Sequence, residues 1–238
     1  PLKGDEIRLI VWPETAITAG IKSNRLAQAV IREIGTRTGA WVMVGAPSFS
    51  GEGEGRSIYN GAFLYSPSGN LVGSYEKNHL LPFAERKFAL FHLGNYQQSQ
   101  IYTAGKTALP IKVTDEPFEI AFSTFICFEV GIDSLVHELV RKQSNLMVNL
   151  SNDAWFGDSS ESAQQLDLLI LRSAEYGLPA VRATGYGRAA VIDHKSRVIA
   201  KTENKERMVL RASLMLQDKP RTFWTRFHNW VVIGTTAI

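Results

Sequence analysis

The sequence predicts an α/β fold, in which sheets carry helices on their outer faces within a single domain. Segments with the apolar period of a helix alternate with short apolar runs typical of strands, and hairpin signals are mixed among them. A third observation is the apolar run at residues 119–126, which stops at the only cysteine, Cys127, where a helix is expected to begin. In α/β folds, nucleophiles lie at such strand ends.

The N-terminal half contains the signals of strands, one helix and a hairpin. Apolar runs predict strands at residues 8–12 and 41–46, and Leu26, Val30 and Ile34 have the spacing of one helical face. Two further runs, residues 60–66 and 71–75, flank the turn-forming sequence P-S-G-N, which predicts a β-hairpin.

The C-terminal half continues the alternation. Strands are predicted within residues 105–114 and at residues 119–126, 145–150, 180–184, 189–193 and 208–212. Helices are predicted after Cys127, with an apolar face within residues 132–140, and at residues 162–176, with Leu166, Leu169 and Ile170 on one face. The second helix is expected to end at Gly177.

Composition excludes several classes of function. The chain has 238 residues, 45% of them hydrophobic and 21% charged, which is ordinary for a globular protein able to bury a core. The net charge of +3 is mild, and no dense block of Lys and Arg predicts a nucleic-acid surface. One cysteine and scattered histidines give no metal-ligand spacing, so we expect neither a metal nor a cofactor.

Cys127 is the first candidate for chemistry. A thiol at the start of a helix is favoured as thiolate, and the backbone N–H of Phe128 could stabilise an oxyanion. The alternative is an inert thiol in the core, which is the commoner fate of a cysteine between apolar residues.

Glu14 and Lys77 are polar residues that directly follow predicted strands. Glu14 could act as a general base, although an acid near a helix N-terminus fits the same sequence. Lys77 could stabilise an oxyanion with Glu85 as its partner, or be a surface lysine. His79 is the other possible partner for a cysteine, and the sequence does not favour a Cys-His arrangement over Cys-Lys-Glu.

Three segments together resemble the catalytic segments of the nitrilase superfamily, and more narrowly those of the apolipoprotein N-acyltransferases. They are W-P-E-T at residues 12–15, Y-E-K-N-H-L-L-P-F-A-E at 75–85 and I-C-F-E at 126–129. The run S-N-D-A-W-F-G at 151–157 is also similar to that family. The chain departs from the family's patterns at Phe128, where the family has Tyr, and at residues 163–165, where A-Q-Q replaces W-Q-H.

The resemblance implies a role for each matching residue. Glu14 would be the general base, Cys127 the nucleophile that becomes a thioester, and Lys77 the oxyanion stabiliser. Supporting and substrate-binding residues would be Glu85, Phe128, Glu129, Asn152 and Trp155.

The resemblance also implies a fold, a location and partners. It implies an α-β-β-α sandwich without its first strand and helix, with a catalytic domain at residues 1–220 and a juxtamembrane segment leading into a transmembrane helix at 221–238. A missing N-terminal region would anchor the protein in the bacterial inner membrane, with the domain facing the periplasm. A phospholipid would donate an acyl chain to a lipoprotein amine, and we expect little activity from these 238 residues alone. The alternatives are a soluble amidase with the same triad and an inactive fragment.

Overall fold

A computed structural model describes residues 8–53, 56–82, 84–85, 102–115, 118–216 and 222–228. The chain divides into two compact units, Pro1–Ala108 and Leu109–Ile238. Each unit has a β-sheet of its own.

The first unit contains a four-stranded mixed sheet. Its elements are β1 (Leu9–Val11), α1 (Arg25–Thr38), β2 (Trp41–Ser50), β3 (Ser57–Tyr65) and β4 (Leu71–Glu76). The strands follow one another in the sheet in chain order, and β1 runs parallel to β2 while the other pairs are antiparallel. The predicted hairpin is present: Gly69 has a φ of +81°, and its N–H donates to the Ser66 carbonyl at 2.8 Å across the turn.

Helix α1 forms where the sequence predicts it, but of the three residues of the predicted face only Ile34 packs against the core. Leu26 and Val30 are 76% and 41% exposed, whereas Ile31 is fully buried. A Cβ at Gly35 would lie 2.7 Å from the Pro67 carbonyl oxygen, so the helix contacts the β3–β4 turn through this glycine. The side of the helix that packs on the core therefore carries Ile31, Ile34 and Gly35.

The second unit contains a six-stranded mixed sheet. Its strands are β5 (Ile111–Asp115), β6 (Phe118–Ile126), β7 (Leu146–Ser151), β8 (Ala180–Thr184), β9 (Ala190–Ile192) and β10 (Val198–Lys201). Its α-helices are α2 (Asp133–Arg141) and α3 (Glu161–Tyr176). The sheet order is β10-β9-β8-β7-β6-β5.

The parallel strands β6, β7 and β8 lie in the middle of this sheet. Ile126 pairs with Leu150, and Ser151 pairs with Thr184, so the three strands end at the same edge. The residues that follow these ends therefore lie along one edge of the sheet, which is where α/β sheets carry their sites.

One strand prediction in this unit was wrong, and one strand was missed. Residues 208–212 have no regular structure, and Val209 is 91% exposed. The strand that pairs with β9 is instead β10, which follows a turn in which Ser196 has a φ of +62°. A turn with a non-glycine residue in the left-handed region gives little sequence signal.

The last described segment is a short helix at residues 223–228. His228 Nε2 lies 2.5 Å from Asp133 Oδ2, and its ring stacks on His137 with 3.8 Å between centroids. The boundary predicted at residue 221 and the apolar residues 230–238 lie outside the described residues. Among those described, no helix has the length and apolar character needed to cross a membrane.

Candidate active site

Glu14 is held against the first sheet by close backbone packing. It follows β1 and Pro13, and its side chain is 8% exposed. A Cβ at Gly45 of β2 would lie 2.3 Å from the Pro13 carbonyl oxygen and 2.6 Å from the Glu14 Cα. Only glycine fits at that position in β2, which lets the turn carrying Glu14 lie directly on the sheet.

Lys77 follows β4 and is nearly fully buried, with 1% exposure. Its N–H donates to the Asn60 carbonyl at 2.8 Å and so extends the β3–β4 ladder by one bond. Its Nζ lies 2.8 Å from Glu85 Oε2 and 3.8 Å from Glu14 Oε1. The structure thus brings together three of the residues that the sequence singled out.

Glu85 is fixed by a local loop. Its Oε2 accepts the Leu81 N–H at 2.7 Å, and its own N–H donates to the Leu81 carbonyl at 3.0 Å. Its carbonyl accepts the Tyr102 N–H at 3.1 Å. The carboxylate is therefore oriented towards Lys77 by the backbone around it.

Asn60 is a member of this cluster that the sequence reasoning missed. It lies in β3, is 3% exposed, and its Nδ2 donates to Glu14 Oε1 at 2.7 Å and to Glu85 Oε1 at 3.2 Å. One amide thus joins both carboxylates. The available signal was an asparagine inside an otherwise apolar strand, because a buried amide needs partners.

The cluster carries two carboxylates against one ammonium group, and Tyr102 responds to this charge. Burial first, and then the charges of Glu14 and Glu85, raise the pKa of Tyr102 to about 12, while Lys77 acts in the opposite direction. A carboxylate in such a setting can accept a proton, and the ammonium group can stabilise an oxygen that becomes negative.

Cys127 directly follows β6 in the second unit. It is 5% exposed, and its φ is +57°, a left-handed conformation that costs a non-glycine residue roughly 1–2 kcal/mol. The predicted helix start is a 3-10 helix, Cys127–Gly131, which is followed by α2. Strained residues of this kind cluster at functional sites.

The turn after Cys127 is held by buried polar groups. Glu129 is fully buried, and its Oε2 accepts the Ile126 N–H at 2.9 Å. Asn149 of β7 donates to the Cys127 carbonyl at 3.0 Å. Phe128 is half-buried. Glu129 therefore fixes the backbone that presents the thiol.

The S-N-D-A-W-F-G segment forms a 3-10 helix, Asp153–Phe156, after β7. Asp153 is 1% exposed and accepts two bonds from Arg182 Nη2, at 3.0 and 2.8 Å, and Arg182 also bonds Asn149. Asn152 caps this short helix through the Ala154 N–H at 3.3 Å, whereas Trp155 is 78% exposed. The sequence reasoning missed Arg182, whose buried ion pair anchors the segment.

His79, the other candidate partner for the cysteine, does not belong to the Glu14–Lys77–Glu85 cluster described above. His79 is exposed on the first unit. Within the described parts of the chain, no group of three or more His, Cys, Asp or Glu side chains is arranged to hold a metal ion.

A protein-family model described as carbon-nitrogen hydrolase matches residues 2–219. The chain belongs to the carbon-nitrogen hydrolase family. This confirms the prediction that the chain is an enzyme of the nitrilase superfamily.

Similar proteins agree with this assignment. An apolipoprotein N-acyltransferase from Geobacter metallireducens is 28% identical over 234 residues, which cover 97% of this chain and 44% of that protein. This chain therefore spans less than half the length of that relative. Other bacterial relatives with the same name match at similar identity.

Similarity to solved structures confirms the fold class predicted for this chain, the α/β sandwich of the nitrilase superfamily. A carbon-nitrogen hydrolase from Helicobacter pylori superposes with a TM-score of 0.63 at 14% identity, covering 84% of this chain and 75% of that one. A mutant amidase of the nitrilase superfamily from Nesterenkonia has a TM-score of 0.63 at 17% identity, covering 96% and 83%.

Proposed function

We propose that the chain is the catalytic part of an enzyme that transfers a fatty acyl chain from a phospholipid to the N-terminal amine of a lipoprotein. The observation that carries this proposal is the similarity to apolipoprotein N-acyltransferases over 97% of the chain. The cluster of Glu14, Lys77 and Glu85 and the strained Cys127 are the residue types that such a reaction needs.

The first half of the reaction would acylate Cys127. Glu14 takes the proton from the Cys127 thiol, and the thiolate attacks the ester carbonyl of the phospholipid. The tetrahedral oxyanion is stabilised by the Lys77 ammonium group and the Phe128 N–H. When the intermediate collapses, the C–O bond breaks and the lysophospholipid alcohol leaves with the proton held by Glu14.

The second half would transfer the acyl group. The lipoprotein amine attacks the thioester carbonyl and gives its proton to Glu14, and the same donors stabilise the second oxyanion. The C–S bond then breaks and the thiolate recovers the proton. A thioester suits this division into two steps, because the acceptor that arrives second decides between transfer and hydrolysis.

The supporting residues have roles that follow from their contacts. Glu85 holds Lys77, and Glu129 holds the turn that presents the thiol. We propose Asn152 and Trp155 as substrate-binding residues; Trp155 offers an exposed aromatic surface suited to lipid. In the whole protein we expect the catalytic domain, residues 1–220, to face the periplasm at the bacterial inner membrane, with residues 221–238 leading into a membrane helix.

The direct test is to detect the acyl-enzyme. The full-length protein is incubated with phospholipid alone, and the Cys127 peptide is examined by mass spectrometry; a lipopeptide with a free N-terminal amine is then added. We expect an acyl mass on Cys127 that disappears as the lipopeptide gains it. Cys127→Ala should abolish the adduct, and Glu14→Gln should slow its formation strongly.

A matched control is available for Glu14. Glu138 is an exposed carboxylate on α2, so Glu138→Gln makes the same chemical change away from the cluster and should leave acylation unchanged. An acylation rate in Glu14→Gln equal to that of Glu138→Gln would refute the role of Glu14.

The amidase alternative is supported by the structural likeness to an amidase. It predicts ammonia release from small amides, with no transfer of the acyl group to the lipopeptide. Transfer to water alone would favour that alternative, and transfer to the lipopeptide amine would exclude it.

A further inference from the structure

A buried amide lies against the sulfur of Cys127. Gln165 of α3 is 1% exposed, and its Nε2 lies 3.8 Å from Cys127 Sγ. A neutral thiol sulfur is a weak acceptor, so this contact contributes little in that state. Hydrogen bonds to an ionised partner are roughly twice as strong, so the contact gains strength when the sulfur is a thiolate.

The orientation of the Gln165 amide is fixed by its neighbours. Nε2 donates to Glu161 Oε1 at 2.8 Å, one turn earlier on α3. An ionised carboxylate can only accept, so the amide nitrogen and not its oxygen faces Glu161. The second hydrogen of Nε2 is then available to the sulfur.

The other side of the amide rests on a rigid network. Gln165 Oε1 faces the Ser151 hydroxyl at 3.3 Å, and this hydroxyl lies 2.5 Å from Asp153 Oδ1. Asp153 in turn is paired with the buried Arg182. This side of the amide therefore faces Ser151, the last residue of β7, and the Asp153–Arg182 ion pair behind it.

We propose that Gln165 is a further catalytic residue, which donates an N–H to Cys127 Sγ and favours the thiolate over the thiol. This inference rests on the proposed role of Cys127 as nucleophile. The thiolate is both the attacking group of the first step and the leaving group of the second, so one donor serves both. Ser151 and Glu161 act as positioning residues, because they orient the amide without contacting the sulfur.

The chain offers a matched control next to this residue. Gln164 is exposed, and its amide bonds the Ser160 hydroxyl at 3.1 Å. Gln165→Met removes the amide while keeping the length of the side chain, and Gln164→Met makes the same change on the outer face of the same helix. Gln165→His restores an N–H donor at the site.

The experiment measures alkylation of Cys127 by iodoacetamide in the folded full-length protein, from about pH 5 to about pH 10. The Cys127 peptide is quantified by mass spectrometry. For Gln165→Met we expect the pH midpoint to rise by about one unit, which is a tenfold loss of thiolate below the midpoint. Below the midpoint the alkylation rate falls only about three- to fourfold, because a more basic thiolate is intrinsically more nucleophilic.

The controls decide the interpretation. Gln164→Met should leave the midpoint unchanged, and Gln165→His should restore part of the shift. Ser151→Ala removes the hydroxyl that faces Gln165 Oε1, so it should raise the midpoint by a smaller amount. This variant replaces Gln165→Met as the test if Gln165→Met does not fold. An unchanged midpoint in a folded Gln165→Met protein, or an equal shift in Gln164→Met, overturns the proposal.

Failure of the proposed function would look different. If no acyl adduct forms on wild-type Cys127 but Gln165→Met shifts the midpoint, the hydrogen bond to sulfur is supported and the acyltransferase reaction is not. If the adduct forms and the midpoint of Gln165→Met is unchanged, the reaction is supported and the role of Gln165 is overturned.

Discussion

Replacing Lys77 by methionine should destabilise the protein far more than the same change at an exposed lysine whose ion pair is equally short. Lys77→Met keeps the length of the side chain and removes the charge. It leaves Glu14 and Glu85 buried with Asn60 as their shared donor. The effect comes from two carboxylates that lose the positive charge of Lys77, and not from lost apolar packing.

The magnitude follows from distance and burial. At an effective dielectric constant of about 20, a charge pair at 2.8 Å attracts by about 6 kcal/mol and a pair at 3.8 Å by about 4 kcal/mol. Most of this offsets the desolvation of the three groups, whose side chains are only 1%, 9% and 12% exposed. Removing one partner of a buried pair costs about 3–5 kcal/mol, which lowers the melting temperature by about 6–20 °C in a chain of this size.

Lys142 provides the matched control. It also lies 2.8 Å from a carboxylate, Glu138, but the two side chains are 34% and 52% exposed. Exposed helical pairs at this spacing contribute only about 0.3–0.5 kcal/mol. Lys142→Met should therefore change the guanidinium midpoint very little. The measurement is chemical denaturation followed by tryptophan fluorescence.

A double variant tests the cause. Lys77→Met combined with Glu85→Gln leaves one buried carboxylate instead of two, so it should be at least about 1 kcal/mol more stable than Lys77→Met alone. Equal losses in Lys77→Met and Lys142→Met, or a double variant less stable than the single one, would refute the reasoning from burial.

Two further predictions concern packing and pH. Gly187→Ala should lower the free energy of unfolding by about 1–3 kcal/mol in denaturation experiments, because the new Cβ would lie 1.9 Å from Asp153 Oδ2. Gly185→Ala is the control, since its Cβ would meet nothing nearer than 3.7 Å, and it should be close to neutral. Equal losses in the two variants would argue against a steric clash at Gly187. Tyr102, with a pKa raised to about 12, contributes stability that is fully present below its unfolded pKa of about 10 and is lost as pH rises through about 12. The Tyr102→Phe protein should lose less stability over that alkaline range, and identical alkaline unfolding curves would contradict this.

The parts of the fold that were predicted correctly have local causes. The β3–β4 hairpin is specified by its own turn residues, and β8 by a short segment that begins after Pro179 and contains the β-branched Val181 and Thr184. The face predicted for α1 was only partly right: Ile34 packs against the core, but Leu26 and Val30 are exposed, because the rotation of the helix depends on packing against residues distant in sequence, such as Pro67 beside Gly35. The strand predicted at residues 208–212 was wrong for a similar reason, since such a segment becomes a strand only where it pairs with another strand.

The site was partly visible in the sequence. Glu14, Lys77 and Cys127 are polar residues that follow apolar runs, so their positions at strand ends could be inferred from the sequence alone. Asn60 and Gln165 could not be found in that way. Asn60 lies inside a strand, and whether Gln165 faces the sulfur depends on the rotation of α3 against the sheet, which side-chain spacing does not fix.

Asn60 is followed by Gly61, and this pair has a consequence for how the protein ages. Asparagine before glycine is the sequence that most readily loses ammonia in flexible peptides, because the glycine nitrogen attacks the side-chain carbonyl. A larger residue is disfavoured at Gly61, since its Cβ would lie 2.7 Å from the ring of the fully buried Phe63. The extended backbone of β3 keeps the glycine nitrogen away from that carbonyl, so Asn60 is protected from deamidation while the strand is folded. Deamidation in a partly unfolded chain would add a third carboxylate beside Glu14 and Glu85. This chemical damage would therefore occur within the cluster of proposed catalytic residues.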